Sequence, residues 1–385
     1  MDHVRLGIVG LGNMGKAHLH NIRSGKVEGL KVTAICESHG VLPPTQDGEH
    51  AYTNVTEMIQ SGLIDAILIC TPHFSHTSIG IEALQAGLHV LVEKPISVHK
   101  ADCERLIAAH TDKSKIFAAM FNMRTNGTFK KLKDLLESGD TGPVRRIHWE
   151  VTDWFRTNYY YATGGWRGTW KGEGGGVLMN QCPHNLDLFQ WMFGMPQRVR
   201  GFCQFGRFHE VEVEDNVTAY LEYDSGTTAT FITSTGEAPG QNRLEITCEQ
   251  GRITVVNNQT IEFRRNRQPM SEFCMTAEAA FAMPESWKME IPAAQSGGQH
   301  VEILQNFTNA ILKGEKLLSP AEEGIHSVEL ANSILLSTWL DQTIQLPMDG
   351  AEYERLLIEK GEKSTFQKTK VVAKASSDDF AKSFR

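Results

Sequence analysis

Residues 7–18 read GIVGLGNMGKAH, and the spacing of Gly10, Gly12 and Gly15 within them decides how the first third of the chain folds. A G-x-G-x-x-G pattern takes its meaning from what flanks it. Here the apolar run VRLGIVG leads in as a buried strand, and MGKAHLHNIR follows with apolar residues at helical spacing. Strand, glycine turn and helix in that order make a pyrophosphate site at the helix N-terminus. Gly10 supplies the tight turn, Gly12 lets the backbone approach the phosphates, and Gly15 lets the helix pack on the strand. Asn13 and Met14 occupy the same turn. The second strand, LKVTAICE, ends in Glu37, roughly 20 residues past the glycines, where a carboxylate takes the adenine ribose hydroxyls. A carboxylate there repels a 2′-phosphate. Ser38 and His39 follow it rather than an arginine, so the reading favours NAD over NADP.

The same rhythm continues outward. AILICT, HVLVEKP and IFAAMF read as further buried strands, with NVTEMIQSG, SHTSIGIEALQAG and KADCERLIAAH as the helices between them. This predicts an α/β domain with a doubly wound parallel sheet over residues 1–123. The loop CTPHFSH leaves the third strand, which puts Cys70, Thr71 and Pro72 under the cofactor, with His73 and His76 following as cofactor-binding candidates. The two histidines are read as helix-capping or ribose-touching, and no metal is expected. After Asn122 the pattern changes. TFKKLKDLLESG is an amphipathic helix with a glycine stop. RRIHWEVTDW, RVRGFCQFGRF, NVTAYLEYDSG, TTATFITSTG, NRLEITCEQG and RITVVNN then alternate apolar and polar residues between turns. They predict an α+β domain over 124–350 with a mostly antiparallel sheet covered on one face. HEVEVEDN sets Glu210, Glu212 and Glu214 on one face of a strand, read as a solvated acidic face. Helices return in HVEILQNFTNAILKG and EEGIHSVELANSILLSTWL, and residues 351–385 are expected to form a loosely held C-terminal tail.

Composition sets the outer bounds. The 385 residues are 41% apolar and 22% charged, enough for two cores. A formal net charge of -8 argues against a nucleic-acid partner, which needs a basic face. No apolar segment is long enough to cross a bilayer, and the start lacks a basic region followed by an apolar run. Seven scattered cysteines without a C-x-x-C pair read as reduced thiols of a cytoplasmic protein.

Taken in order, the glycine head, CTPHFSH, EKPIS, FNMR and GGGVLMNQCPHNLD resemble the glucose–fructose oxidoreductase / inositol dehydrogenase / rhizopine-catabolism (Gfo/Idh/MocA) family, over roughly residues 3 to 345. The resemblance implies an N-terminal Rossmann domain and a C-terminal domain with a large open sheet that often forms a homo-oligomer interface, in a dimer or tetramer. It implies oxidation of a hydroxyl of a sugar, cyclitol or glycoside with a nicotinamide cofactor. Carried over by position, the EKP lysine is Lys94, which touches the reacting hydroxyl and the nicotinamide ribose, with Glu93 beside it. The later signature, glycines followed by an aspartate and a histidine four residues on, keeps the histidine as His184, with Asp187 following. At the aspartate position stands Asn180.

Oxidising an alcohol takes a base within about 2.6–3.2 Å of the hydroxyl and a nicotinamide to receive the hydride. Lys94 and His184 are the candidates for the base: a histidine exchanges protons near neutral pH, and a buried lysine beside a cationic ring loses basicity. The reading takes His184 as base and Lys94 as the group that polarises the hydroxyl, with the roles open to exchange. Asn180 takes no proton but donates and accepts hydrogen bonds, so it positions substrate or ribose. Upstream, DWFRTNYYYATGGWRGTWKGEGGG is crowded with rings. Trp154, Tyr159, Tyr160 and Trp166, interleaved with Arg156 and Arg167, fit the apolar faces and hydroxyls of a carbohydrate. Arg124, just past the fifth strand, is expected to face the same cleft, toward cofactor and substrate. The leading expectation is an NAD-dependent sugar or glycoside dehydrogenase, with carbon 3 as a candidate position. The alternatives are a redox-neutral NAD-dependent glycosidase that works through transient oxidation and elimination, an inositol (cyclitol) dehydrogenase, and a non-catalytic NAD-binding regulator.

Overall fold

Five of the six strands of the first sheet fall where apolar runs predict them, and they set the cofactor side of the molecule. In the computed structural model, which describes residues 2–163, 165–293 and 297–368, these strands are β1 (Val4–Val9), β2 (Leu30–Cys36), β3 (His50–Tyr52), β4 (Ala66–Ile69), β5 (His89–Val92) and β6 (Phe117–Ala119). Their order is β3-β2-β1-β4-β5-β6, and every pairing is parallel. This is the doubly wound order whose switch point lies between β1 and β4, where ligands bind at the carboxyl ends of the strands. The unforeseen strand is β3: three residues at the sheet edge, two of them exposed, carry no periodic signal.

The second sheet has nine strands. They are β7 (Val144–Val151), β8 (Arg198–Phe205), β9 (Glu214–Glu222), β10 (Thr228–Ser234), β11 (Asn242–Cys248), β12 (Gly251–Val256), β13 (Thr260–Asn266), β14 (Ser286–Ile291) and β15 (Ile344–Gln345), in the order β14-β13-β12-β11-β7-β10-β9-β8-β15. Only β7 and β10 pair in parallel. Trp149, opposite Phe231 and Leu244, lies at the centre of the covered face. Helices Pro183–Phe193 and Gly324–Leu340 pack over that face. The other face is open, with Phe202 56% and Tyr220 40% exposed.

The structure departs from three readings. Helix Gln299–Lys313, expected within the second domain, buries Ile303, Leu304 and Phe307 against Val4, Leu6 and Ile8 of the first sheet, so the chain returns to its N-terminal domain after the second sheet. The expected tail is structured at its start: Gly350–Lys363 is a helix, capped by Asp349 and anchored by the fully buried Tyr353 and by Leu357. The remainder of the expected tail, 369–385, lies outside the described residues. The acidic stretch is not a solvated strand face either. Glu214 opens β9 fully buried and accepts from the Gly176 and Leu178 amides, while Glu212 accepts from Trp170 N. Among the described residues, no helix is long and apolar enough to cross a membrane.

Candidate active site

The glycine turn closes as the motif requires. Gly10 has a φ of 85°, and a Cβ on Gly15 would stand 2.0 Å from the Gly10 carbonyl oxygen, so helix Asn13–Arg23 reaches the strand only because that position is bare. Around Gly12 nothing lies within 4 Å of where a Cβ would be, which leaves its backbone open to a ligand. No side chain caps that helix, so its first-turn amides, including those of Asn13, Met14 and Gly15, face outward as donors for an anion. Glu37 lies beside them: its carboxylate accepts Leu11 N at 2.8 Å and His39 N at 3.1 Å. Burial opposes its charge, but the His39, Leu11 and Gly40 amides outweigh that and hold it below the ordinary glutamate range. These groups fit a dinucleotide, with amides for the pyrophosphate and a fixed anion for the ribose hydroxyls.

Past β4 and β5, two loops meet beside that turn. Thr71 accepts from Ser75 Oγ at 2.8 Å, and Pro72 is exposed. The His76 ring lies between the Pro95 and Thr71 carbonyl oxygens, at 2.9 and 2.8 Å, and ties the two loops together. Those contacts occupy both ring nitrogens, so the His73–His76 pair is not built as a metal site. His73 packs edge-on against His76 and Trp166 and keeps a buried Nδ1 with no hydrogen-bond partner among the described residues. Glu93 meets the fully buried His18 at 2.7 Å. Burial pushes the Glu93 carboxyl up, but His18, then His300 and Lys94, hold it down to about 2.

Lys94 Nζ donates to the backbone carbonyl of Asn180 at 3.0 Å. Burial lowers its pKa; Glu93 and Glu173 oppose that, and Arg156 adds to it. His184, at the start of helix Pro183–Phe193, packs edge-on against Phe121 and has a buried Nδ1 without a partner among the described residues. Burial first, then the Lys94 and His300 charges, keep its pKa well below the ordinary histidine value. It is therefore a neutral ring at neutral pH. Asn180 donates from Nδ2 to Glu173, while its Oδ1 accepts from Tyr160 OH at 3.4 Å and Gln181 Nε2 at 3.2 Å. The glycine run ahead of it permits this packing, since a Cβ on Gly176 would sit 2.0 Å from the Glu214 carbonyl oxygen.

The aromatic stretch divides. Tyr161 and Trp170 belong to the core under the second sheet. Tyr160 lies between Arg156 and Arg167, whose guanidinium carbons stand 5.3 and 4.8 Å from its ring centre. Arg156 also covers Trp154 and Arg167 covers Trp166, while Tyr159 is exposed. The Trp154 Nε1 and the Arg167 Nε are buried without a hydrogen-bond partner among the described residues, as is the Gln181 Oε1.

Arg124 is a correction. It is 2% exposed, and its guanidinium grips Asp187 at 2.8 and 2.6 Å, Glu323 at 2.5 Å and the Leu318 carbonyl at 3.2 Å. With its donors spent inside the protein, it faces neither cofactor nor substrate. The same contacts give Asp187 a structural part. Two further groups escaped sequence reading. Glu173 looked like part of a glycine loop. His300 stands 5.5 Å from the His18 ring, although 282 residues separate them in the chain, and only the return of helix Gln299–Lys313 brings them together.

Residues 4–121 match the description "Oxidoreductase family, NAD-binding Rossmann fold", and residues 129–254 match "GFO/IDH/MocA C-terminal domain". Myo-inositol 2-dehydrogenase of Thermotoga maritima is 25% identical over 66% of this chain and 75% of its own. A WlbA dehydrogenase of Chromobacterium violaceum, solved with NADH and UDP-GlcNAcA, superposes with a TM-score of 0.76 at 24% identity, covering 91% of this chain and 97% of that one. A levoglucosan dehydrogenase solved with NADH and L-sorbose gives 0.73 at 18% identity, over 91% and 100%. At these identities the two solved structures speak for the fold alone. The two adjoining matches, one to each sheet, carry the conclusion that this chain belongs to the Gfo/Idh/MocA family of oxidoreductases, with an NAD-binding Rossmann domain at its N-terminus.

Proposed function

We propose that the chain is an NAD-dependent dehydrogenase that oxidises a ring hydroxyl of a sugar, glycoside or cyclitol to a ketone. The observation that carries this reading is the Lys94–Asn180 bond, with the buried His184 near enough for the Lys94 charge to depress its pKa. A bound nicotinamide supplies the hydride acceptor. The rest is the work of this chain. Lys94 in its charged form donates to the substrate hydroxyl and polarises it. His184, neutral because it is buried beside Lys94, takes the hydroxyl proton. Tyr160, Trp154 and Trp166 offer ring faces to a carbohydrate, and Arg156 and Arg167 offer donors to its hydroxyls. The inositol dehydrogenase among the similar proteins supports the substrate class. Glu37 supports NAD over NADP, since its anion repels a 2′-phosphate. The seven unpaired cysteines support a reducing, cytoplasmic setting. The open face of the nine-stranded sheet supports a homo-oligomer.

The test is to follow reduced nicotinamide and aglycone release together over free sugars, cyclitols and aryl glycosides. Reduced cofactor accumulating with one class supports the dehydrogenase and names the class. Aglycone release with no net reduced cofactor replaces it with the redox-neutral glycosidase. Tight NAD binding without turnover on any of them leaves the non-catalytic regulator.

A further inference from the structure

Asn180 raises the question of where the carboxylate of this site has gone. Glu173 answers it from seven positions upstream. It is 1% exposed. One carboxylate oxygen accepts the Asn180 side-chain amide, and the other accepts Gly168 N at 2.6 Å. The bond to Asn180 fixes which way that amide faces: its NH2 turns to the carboxylate, and its oxygen turns to Tyr160 OH and Gln181 Nε2. The same residue holds Lys94 through its backbone carbonyl. An aspartate at 180 would set two carboxylates against each other, which a buried site resists by keeping one protonated.

We propose that Glu173 is the positioning carboxyl of this site, displaced from position 180, and that it acts on Lys94 through Asn180. The proposal rests on the dehydrogenase reading for its kinetic consequences but not for its geometry. Its charge reaches Lys94 and favours the ammonium form. Burial pushes the Glu173 carboxyl up to about 7, against the Asn180 and Gly168 hydrogen bonds and the charges of Arg167 and Lys368. Glu214 and Tyr161 also feel it from the neighbouring sheet and helix. Lys94 faces Glu93, Arg156 and Cys182 as well, and its charge reaches His73, His76, His184 and His300.

The test compares wild type, Glu173→Gln and the exchange Glu173→Gln/Asn180→Asp. The first readout needs no substrate: the pH dependence of Lys94 labelling by an amine reagent, resolved by mass spectrometry. Removing the Glu173 charge leaves Lys94 easier to deprotonate, so its labelling moves to lower pH in Glu173→Gln and returns toward wild type in the exchange. The second is kcat/KM against pH. The alkaline limb, set by loss of the Lys94 proton, moves to lower pH in the single variant, kcat falls at least tenfold, and both recover in the exchange. A Glu173→Gln protein that is less stable but labels like wild type, with no recovery in the exchange, overturns the proposal and leaves Glu173 as a loop staple. If no substrate in the panel yields reduced cofactor, the dehydrogenase reading fails, and the labelling shift alone decides the proposal. Should Glu173→Gln not fold, Glu173→Asp keeps the charge but withdraws it from the Asn180 amide. A several-fold loss of kcat with the alkaline limb kept is then expected, and an unchanged kcat overturns the idea.

Discussion

Lys94 Nζ donates to the backbone carbonyl of Asn180 at 3.0 Å, across the seam between the Rossmann sheet and the glycine-rich loop of the second domain. The bond joins the two halves of the proposed site, because Lys94 follows β5 and Asn180 precedes the helix that carries His184. Lys94→Ala is expected to lower kcat/KM by about 10²–10⁴-fold, the usual worth of a positioned proton-transfer group, while NAD still binds. The pH profile has a defined sign. His184 must be neutral to act as base, and burial beside the Lys94 charge keeps its pKa below the ordinary value. The acid limb therefore lies below pH ~6.5 in the wild type. Removing the Lys94 charge raises the His184 pKa, so the residual activity of Lys94→Ala shows a limb moved toward neutral pH. A limb that stays in place excludes His184 as the titrating base.

Glu37 governs the choice of cofactor if its fixed anion meets the ribose. Hydrogen bonds to a charged group are worth about 1.5–3 kcal/mol. Glu37→Ala is therefore expected to weaken NAD binding by about 10–100-fold and to narrow the gap between NAD and NADP. Titration calorimetry with both cofactors reads the ratio. An unaltered ratio means that Glu37 serves only to pin Leu11 and His39.

How much of this was legible in the sequence depended on whether a signal was local. The glycine turn, Glu37, EKP and His184 each sit in a contiguous motif, and the strands of both sheets largely follow their apolar patterns. Several of the misses share a physical cause, which is that a residue's partner lay far along the chain. Arg124 looked like a cleft arginine because nothing nearby in sequence announces Asp187 or Glu323. His300 has no local mark of its place beside His18. Glu173 is separated from Asn180 by six residues, the first three of them glycines that break any helical register, so its reach to the amide could not be read from spacing. Glu214 alternates with its neighbours like a surface residue, yet it accepts from the Gly176 and Leu178 amides at the end of the glycine run and just after it.

That last carboxyl predicts a pH dependence of stability. Burial pushes Glu214 up to about 8, against the hydrogen bonds it accepts. Between the ordinary glutamate value and about 8 the folded protein thus binds a proton that the unfolded chain has released. Stability then falls as pH rises through that window, by about 1.4 kcal/mol for each unit separating the two values. Glu214→Gln removes this slope. Urea denaturation at a series of pH values from 5 to 8 compares the two proteins, and parallel slopes exclude Glu214 as the source.

The buried ion pair of Arg124 and Asp187 gives the next expectation. Arg124→Ala strands a buried carboxylate and is expected to cost about 3–5 kcal/mol, whereas Arg124→Met with Asp187→Leu recovers much of that loss. Any folded variant should bind NAD as the wild type does, because Arg124 spends its donors on Asp187, Glu323 and Leu318. A selective loss of NAD affinity in a stable variant would return Arg124 to the cofactor site.

The C-terminal helix is the last case, and here the signal was present but masked by polar neighbours. Tyr353 and Leu357 are buried four residues apart, on one helical face. The Tyr353 ring stacks on Trp339 with centroids 5.1 Å apart and planes 15° from parallel, so the helix closes the core under the second sheet. Tyr353→Ala is expected to cost about 3–5 kcal/mol, as for other large buried rings. Glu354, one residue on, pairs with the half-exposed Arg105 at 2.7 Å. Glu354→Ala should cost no more than about 1 kcal/mol. Chemical denaturation of the two variants separates the readings: a large loss for Tyr353 with a small one for Glu354 marks the helix as part of the core, and equal small losses would restore the expectation of a loosely held tail.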